Sequence, residues 1–362
     1  VYQTGGSVQH RVGTGIFEFD REQIYAPVIT MRRYVLVLSL VILVFAFGVS
    51  WLLAQRMSRP IEKLTEAATK ISQGDLGIQL STIPGGEIGQ LSRIFNDMSQ
   101  SLQQMEIMRS SQAALSRELE IARGIQLAVL PANGNLGPYD FHGYMQTADA
   151  VGGDYYDCIH LKYKRKDYWW CIIGDVSGHG LPSGLIMLMA QTAIRTVLEL
   201  SPGLTPDEAF VVVNQVLYDN IQRLHENKYM TATFYRLDSS GQVLYAGLHL
   251  DTILYRKKSA QLEIRDSRGM WLGIESDIKS DIKLDRCKLN KGDMLLLYTD
   301  GIIEAFNQEK EMYSEDRLLA IMNTYGDQPL AELQNNLVQD LEQFCNGRQF
   351  QDDVSFAMIR RN

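Results

Sequence analysis

The sequence predicts an α+β protein, because its strand and helix patterns come in blocks rather than in regular alternation. Three observations give the order of its parts. Twenty consecutive residues near the N-terminus carry no charge, amphipathic helical patterns follow them, and the periodicity changes to short strands and helices after Pro131. We therefore expect one membrane helix, a helical module and a layered α+β domain, in that order.

The composition of the 362 residues excludes several classes of protein. A formal net charge of −8 and a pI near 5.4, without a long basic run, predict no nucleic-acid partner. The cysteines Cys158, Cys171, Cys287 and Cys345 lie far apart and form no CxxC pair, which favours reduced thiols over a zinc site or disulfides. No Cys has an Arg six residues later, which disfavours cysteine-dependent phosphatase chemistry.

The N-terminal part is predicted to contain one transmembrane helix. Residues 34–53 are uncharged (YVLVLSLVILVFAFGVSWLL) and would span roughly 30 Å as a helix, the thickness of a bilayer core. The run shows no polar face, and it is too long for a signal peptide. Residues 1–33 are expected to be the tail of a truncated extracytoplasmic segment, with a weak strand pattern in GTGIFEFD. A disordered leader is the alternative for that tail.

Residues 54–107 contain two amphipathic segments on either side of a turn. The first has apolar residues at spacings of three and four, and the second keeps a heptad seam. These residues are Ile61, Leu64, Ala68 and Ile71 in the first segment, and Ile88, Leu91, Phe95, Met98, Leu102 and Met105 in the second. Each seam is too narrow for a stable isolated helix, so we expect a parallel four-helix bundle with a second copy of the chain.

This segment resembles a HAMP domain, the relay module that follows transmembrane helices. Pro60 lies near the start of the first helix, and Gly86-Glu87-Ile88-Gly89 opens the second. A plain coiled-coil linker is the alternative. Residues 108–131 continue as a coiled-coil linker helix up to Pro131. This helix either transmits a rotation or a register change to the next domain or acts as an inert spacer.

Residues 132–362 form the predicted α+β output domain. Strand patterns occur in YWWCIIGD, QVLYAG, TILYR, DMLLLYTD and VSFAMIR. Helical patterns cover residues 181–200, 206–224, 315–325 and 330–344.

Acidic residues follow or precede the predicted strands at four places, each beside a glycine or another acid. They are Asp154, Asp175, Asp300 and the pair Asp352-Asp353. A single residue of this kind is most often a turn or a helix cap. Four such places in one domain indicate a cluster, and clustered carboxylates repel one another unless cations lie between them. Oxygen ligands suit Mg²⁺ or Mn²⁺, and two such ions can activate a water for attack on phosphorus.

The motifs VGGDYYD, GDVSGHG, YTDGIIEAFN and DDVSFAMIR occur in this order. Together they resemble the PP2C-type serine phosphatases of the bacterial stage-II-sporulation-E and sigma-factor-regulator group, from about residue 115 to the end of the chain. The helix ELEIARGIQLAVLP also resembles the segment that leads into that family's catalytic domain. A lone GGD would also fit a diguanylate cyclase, but the ordered set of motifs does not.

The resemblance implies a PP2C-like layered β-sandwich flanked by helices, with two Mn²⁺ or Mg²⁺ ions. It implies that Asp154 and Asp175 bind both ions, that the Val176 carbonyl adds a ligand, and that Asp300 and Asp352 complete the catalytic site. Asp353 adjoins the expected ligand and is the alternative to Asp352. The implied reaction is hydrolysis of phosphoserine or phosphothreonine by a metal-activated water, without a phosphoenzyme.

The resemblance also implies a partner and a location. The expected substrate is a phosphorylated STAS-type anti-sigma-factor antagonist, and the expected location is the bacterial cytoplasmic membrane with the phosphatase domain in the cytoplasm. His179 either touches substrate or makes a structural hydrogen bond. Where relatives read approximately NAGHNPP, this chain reads AGLHLDTILY and keeps only His249 nearby, which puts the substrate in question.

The alternative function is a catalytically silent scaffold that uses a PP2C fold to bind a partner. The complete acidic set argues against it, because a site released from chemistry need not keep its ligands. A histidine kinase fits less well, because neither a phospho-accepting His hairpin nor a glycine-rich ATP lid is evident.

Overall fold

The computed structural model describes residues 2–3, 10–11, 15, 21–80 and 85–362. The chain divides into two compact units, Val1–Gln112 and Ala113–Asn362. The strand pattern expected in GTGIFEFD lies almost entirely outside the described residues.

The first unit is largely helical. Two short antiparallel strands precede a long helix, a π-helical turn and two further helices. They are β1 (Tyr2–Gln3), β2 (His10–Arg11), α1 (Arg21–Leu53), the π-helical turn Ala54–Ser58, α2 (Arg59–Ser72) and the part of α3 (Gly86–Ala128) that ends at Gln112.

Helix α1 contains the predicted membrane span. Its residues 34–53 are exposed throughout, and the most apolar stretch that begins in this helix has a mean hydropathy of 2.7 with no buried residue. Among the described residues, Leu181–Leu200 is also long and apolar enough to cross a membrane. That helix packs Ile186, Ala190 and Ile194 into the core of the second unit, so it is the core helix of a folded domain.

The two amphipathic segments of residues 54–107 pack a small apolar cluster and leave much of their seam exposed. Leu64 and Ala67 of α2 pack with Phe95 of α3. The connection between the helices is held by Ser99, whose hydroxyl lies 2.8 Å from the Leu76 carbonyl. Of the predicted seam residues, Ile61, Leu91, Met98 and Met105 are exposed in the single chain.

The second unit is a sandwich of two antiparallel sheets between pairs of helices. The six-stranded sheet has the order β10-β9-β12-β13-β4-β3, and the five-stranded sheet has the order β11-β8-β7-β6-β5. The strands are β3 (Gly134–Asn135), β4 (Tyr139–Gln146), β5 (Asp154–Tyr163), β6 (Lys166–Val176), β7 (Met230–Asp238), β8 (Gln242–Leu248), β9 (Thr252–Arg256), β10 (Gln261–Arg265), β11 (Asp285–Lys288), β12 (Met294–Tyr298) and β13 (Val354–Arg361). The helices are α4 (Leu181–Leu200), α5 (Pro206–Leu224), α6 (Asp300–Ile303), α7 (Ser314–Tyr325) and α8 (Leu330–Cys345).

Strand β6 shows how the sequence builds these layers. Its side chains alternate between the two faces of the sheet, as the pleat of a strand requires. Trp170 and Ile172 pack with α4 and α5 on the outer face, whereas Trp169, Cys171 and Ile173 lie between the two sheets. A third cluster packs α7 and α8 on the six-stranded sheet. The strand is apolar throughout because both of its faces are covered.

The predicted α+β class and the layered β-sandwich flanked by helices are confirmed, together with the predicted strands and helices of this unit. The sequence patterns did not predict the two-residue strand β3 or the longer strands β4, β5, β7, β10 and β11. Charged residues interrupt these strands, such as Asp157 in β5 and Arg236 in β7. Asp157 is tolerated in a buried strand because a specific partner neutralises its charge.

That partner is Arg195 of α4, which joins the helix to the strand that begins with Asp154. The guanidinium donates two hydrogen bonds to the Asp157 carboxylate, at 2.8 Å and 2.9 Å. The Tyr155 hydroxyl adds a third at 2.9 Å, and the Asp157 side chain is fully buried. Removing one partner from such a pair leaves an uncompensated buried charge.

We expect Arg195→Met to lower the free energy of unfolding by about 3 kcal/mol, because the Asp157 carboxylate would stay buried without its counter-charge. Urea unfolding of the detergent-solubilised chain, followed by tryptophan fluorescence, measures this. Arg223→Met, on the exposed face of α5, is the control and should change stability by less than about 0.5 kcal/mol. Equal effects of the two substitutions would contradict the role of the ion pair.

Candidate active site

Two neighbouring strands of the five-stranded sheet carry the first two predicted acids. Asp154 is the first residue of β5, and in the antiparallel register it lies directly opposite Asp175 of β6. Asp175 is the residue before the last of its strand. Both carboxylates therefore lie at the same end of this sheet.

The other two predicted acids come from the six-stranded sheet. Asp300 opens α6 just after β12, and Asp352 precedes β13, which pairs with β12 in antiparallel register. The Thr299 hydroxyl donates a 2.8 Å hydrogen bond to Asp154 Oδ2 and so links the ends of the two sheets. The fold thus brings all four predicted positions together.

Burial and mutual repulsion govern the charge of Asp154 and Asp175. Burial raises the pKa of Asp154 well above its usual range, and the charges of Asp175 and Asp353 raise it further. Burial also raises the pKa of Asp175 to about 8, with added repulsion from Asp300, Asp352 and Asp353. Two adjacent carboxylates with raised pKa values require a proton or a cation between them to be stable.

A pocket of about 460 Å³ opens over these acids. Asp175, Asp300 and Asp352 line it on the acidic side. Burial raises the pKa of Asp300 and of Asp352, so the acidic side favours a bound positive charge. Another part of the wall is aromatic, because the rings of Tyr229 and Trp271 stack there with their centroids 4.6 Å apart.

Asp353 has a different role from its neighbour Asp352. Its Oδ1 accepts a hydrogen bond from the Ala148 amide at 2.8 Å, and its Oδ2 accepts one from the Gly153 amide at 2.7 Å. The side chain is buried, whereas Asp352 lines the pocket. Both Asp353 oxygens therefore hold the loop 147–153, which favours Asp352 as the residue that faces the pocket.

Val176 and the glycines before Asp154 pack closely. The Val176 amide donates to the Gly153 carbonyl at 3.2 Å. A Cβ atom on Gly153 would lie 2.8 Å from the Val176 carbonyl oxygen and 3.1 Å from Asp175 Oδ1. Only glycine permits this approach, which keeps the Val176 carbonyl beside the acids.

The two histidines near the site differ in their environment. The His179 imidazole is largely exposed, and its Nδ1 lies 2.8 Å from Asp149 Oδ2. His249 is bonded at both nitrogens: Nε2 donates to the Tyr298 carbonyl at 3.0 Å, and Nδ1 accepts from the Thr231 hydroxyl at 2.8 Å. Burial lowers the pKa of His249 to about 4, so the ring is neutral at neutral pH. His249 therefore ties three strand segments together and has no free nitrogen to offer a substrate.

The donor set fits divalent cations by its chemistry. Carboxylate and carbonyl oxygens are the ligands that Mg²⁺ and Mn²⁺ prefer. Among the described residues, no positively charged group contributes to the pKa shift of Asp154 or of Asp175. In the described part of the chain, no three His, Cys, Asp or Glu side chains are already arranged to hold one ion. The ligand assignment to Asp154, Asp175, Val176, Asp300 and Asp352, or Asp353, therefore stays a prediction.

Sequence reasoning missed several residues around the site. Thr299 directly precedes Asp300, and a hydroxyl at a strand end is a weak signal that could have drawn attention to it. Tyr229 and Trp271 come from separate segments and carry no motif. Gln126 lies in a helix that looked like a spacer, and its amide bonds to Gly152.

Comparison with known proteins agrees with this fold. The sequence model of the family described as stage II sporulation protein E (SpoIIE) matches residues 165–362, more than half of the chain. The chain belongs to the SpoIIE family. The HAMP domain model matches residues 52–104, so the predicted resemblances to both families are confirmed. The SiaA-PP2C domain of Pseudomonas aeruginosa shares the fold, with a TM-score of 0.60 and 20% identity over 70% of this chain and 99% of that chain.

Two curated relatives of this SpoIIE-family chain align with most of it at about a quarter identity. Protein IcfG of Synechocystis sp. is 25% identical over 374 residues, which cover 96% of this chain and 58% of IcfG. Phosphoserine phosphatase RsbU of Bacillus subtilis is 26% identical over 266 residues, which cover 72% of this chain and 74% of RsbU. The chain thus spans less than two thirds of the length of IcfG.

The different roles of Asp352 and Asp353 predict different effects on stability in the presence of a chelator. Asp353→Asn should lower the free energy of unfolding by about 1–3 kcal/mol, because its amide group would face a buried N–H donor. Asp352→Asn should not lower it, since this substitution removes one charge from a repelling cluster. Urea unfolding in EDTA compares the two. A larger loss for Asp352→Asn than for Asp353→Asn would contradict the assignment.

Proposed function

We propose that this chain is a membrane-anchored, signal-regulated protein serine/threonine phosphatase that hydrolyses phosphoserine or phosphothreonine by means of a metal-activated water. The observation that carries the proposal is the acidic pocket, in which Asp175, Asp300 and Asp352 line about 460 Å³ beside the buried Asp154. Membership in the SpoIIE family of PP2C-type phosphatases supports this reaction class. The name of the relative RsbU, a phosphoserine phosphatase, supports the same class.

The residues of the chain have distinct tasks in this mechanism. Two Mn²⁺ or Mg²⁺ ions, when bound, supply activation of water and neutralisation of phosphoryl charge. Asp154 and Asp175 would hold both ions, with Asp300, Asp352 and the Val176 carbonyl as further ligands. Thr299 fixes one oxygen of Asp154 by its hydrogen bond, which limits the rotation of that carboxylate. A carboxylate that is already held in place needs little free energy of reorganisation when the reaction occurs.

The pocket wall carries the features that would select a substrate. Tyr229 and Trp271 stack beside the acids, and Leu248 and Leu250 complete this apolar side. The two leucines lie in the stretch AGLHLDTILY, where this chain departs from its relatives. We propose a phosphorylated STAS-type anti-sigma-factor antagonist as the substrate, supported by the resemblance to the sigma-factor-regulator group.

We further propose that the HAMP module relays a signal to the phosphatase as a homodimer at the bacterial cytoplasmic membrane. The apolar, exposed residues 34–53 of α1 support the anchor, in contact with lipid. The free thiols Cys158, Cys171, Cys287 and Cys345 support a reducing, cytoplasmic location for the catalytic unit. The exposed seam residues of α2 and α3 support the second copy.

The alternative function is a silent scaffold of the same fold. The raised pKa values of Asp154 and Asp175 weigh against it, because a repelling buried pair lowers stability and would serve no purpose without a cation. Turnover separates the two functions, because only the phosphatase would hydrolyse a phosphoester.

Asp175→Asn is expected to lower Mn²⁺-dependent hydrolysis of p-nitrophenyl phosphate by about 10³-fold, as a loss of roughly 4 kcal/mol of transition-state stabilisation would do. The assay uses the full chain in detergent micelles, with and without Mn²⁺, and circular dichroism checks the fold. Asp316→Asn, at an exposed position of α7, is the matched control and should leave turnover unchanged.

Turnover that needs Mn²⁺ and disappears only in Asp175→Asn would establish the phosphatase. A folded wild-type chain that binds Mn²⁺ without any turnover, on this ester and on a phosphoserine peptide, would favour the scaffold. Full activity of Asp175→Asn would refute the proposed mechanism.

The exposed seam predicts a dimer that depends on apolar contacts. The double substitution Leu91→Glu and Met98→Glu should shift the detergent-solubilised chain from dimer to monomer at micromolar concentration, because it places charges in the heptad seam. Light scattering after size exclusion measures the mass. Gln90→Glu, an exposed position of the same helix, is the control. A monomeric wild-type chain in this range would contradict the dimer.

A further inference from the structure

Gln126, in the last turn of α3, is completely buried and bonds twice to a single residue. Its Nε2 donates to the Gly152 carbonyl at 2.8 Å, and its Oε1 accepts from the Gly152 amide at 3.1 Å. Both polar atoms of the side chain are thus satisfied by one peptide segment, as in the pairing of two strands. The two bonds fix the Gly152 backbone in position and in orientation.

The rest of this helix end makes no comparable contact. Of residues 113–128, all of which the structure describes, Gln126 is the only buried one. The apolar neighbours Ile121 and Ile125 are 59% and 55% exposed. Within the helix, Gln126 is therefore the buried contact, and the first apolar contact, that of Leu130 with the cores of the sandwich, comes after the helix has ended. A polar pair depends on geometry more strongly than apolar contact does.

On its other side, Gly152 touches the acidic cluster. A Cβ atom on Gly152 would lie 2.2 Å from Asp353 Oδ2, and the next amide, of Gly153, donates to that same oxygen at 2.7 Å. The Gly153 carbonyl accepts from Val176, and Asp154 follows directly. The segment 152–153 is thus held between Gln126 and Asp353, immediately before the first predicted ligand.

We propose that Gln126 is a positioning residue that holds the loop 147–153 where Asp154 and Val176 can serve the metal ions. The affinity for metal thereby depends on the position of the end of α3. The inference rests on the proposed function, because it assumes ions at these residues. Groups that orient metal ligands through hydrogen bonds typically change metal affinity by about 10–100-fold when they are removed.

The test is Mn²⁺ binding to the full chain in detergent micelles, followed by the paramagnetic resonance signal of free Mn²⁺. Gln126→Met keeps the length of the side chain and removes both hydrogen bonds. We expect its Kd for Mn²⁺ to rise about 10–100-fold, and turnover of p-nitrophenyl phosphate to recover at saturating Mn²⁺. Gln112→Met, at an exposed position of the same helix, should bind as the wild type does.

Gln126→Asn retains the amide on a side chain that is one methylene shorter, and its Kd should fall between the wild-type and Gln126→Met values. A wild-type Kd in folded Gln126→Met would overturn the proposal. A loss of turnover that excess Mn²⁺ does not restore would also overturn it, as would unfolding of both variants, which would make Gln126 a folding determinant. A wild-type chain that binds no Mn²⁺ would refute the metal site itself.

Discussion

Repulsion among buried carboxylates is the constraint on which this structure depends. Asp154 and Asp175 lie opposite each other on paired strands, and the charges of Asp300, Asp352 and Asp353 act on Asp175. An unfolded chain would keep such groups apart in water. The fold holds them together because the register of two antiparallel sheets, built from large apolar cores, leaves their strand ends no other position.

Hydrogen bonds then divide the acids into two groups with different tasks. Thr299 and the amides of Ala148 and Gly153 bind the buried oxygens of Asp154 and Asp353. Asp352 instead keeps its place in the wall of the pocket. One part of the cluster therefore shapes the loop, and the other part remains available to cations. Neighbouring residues of identical chemistry differ here only through what their oxygens contact.

The same loop connects the end of α3 to the acidic cluster. Gln126 makes two hydrogen bonds to Gly152 on one side, and Asp353 packs against Gly152 on the other. In the proposed coupling, Gln126 would link α3 to this loop through hydrogen bonds, which break over shorter displacements than apolar contacts do. The neighbouring side chains of the helix, such as Ile121 and Ile125, are mostly exposed, and Leu130 makes the next apolar contact after the helix ends.

The sequence by itself determined the order of the parts and the α+β class, and it singled out four acidic positions that the fold brings together, because these depend on local periodicity and on motifs that are contiguous in the chain. It missed β5 and β7, since a charge such as Asp157 hides a buried strand until Arg195 is placed beside it. Only the tertiary structure separated Asp352 from Asp353, made His249 a structural residue and brought Gln126 to Gly152. Each of these depends on a contact between distant segments, which neither composition nor spacing records.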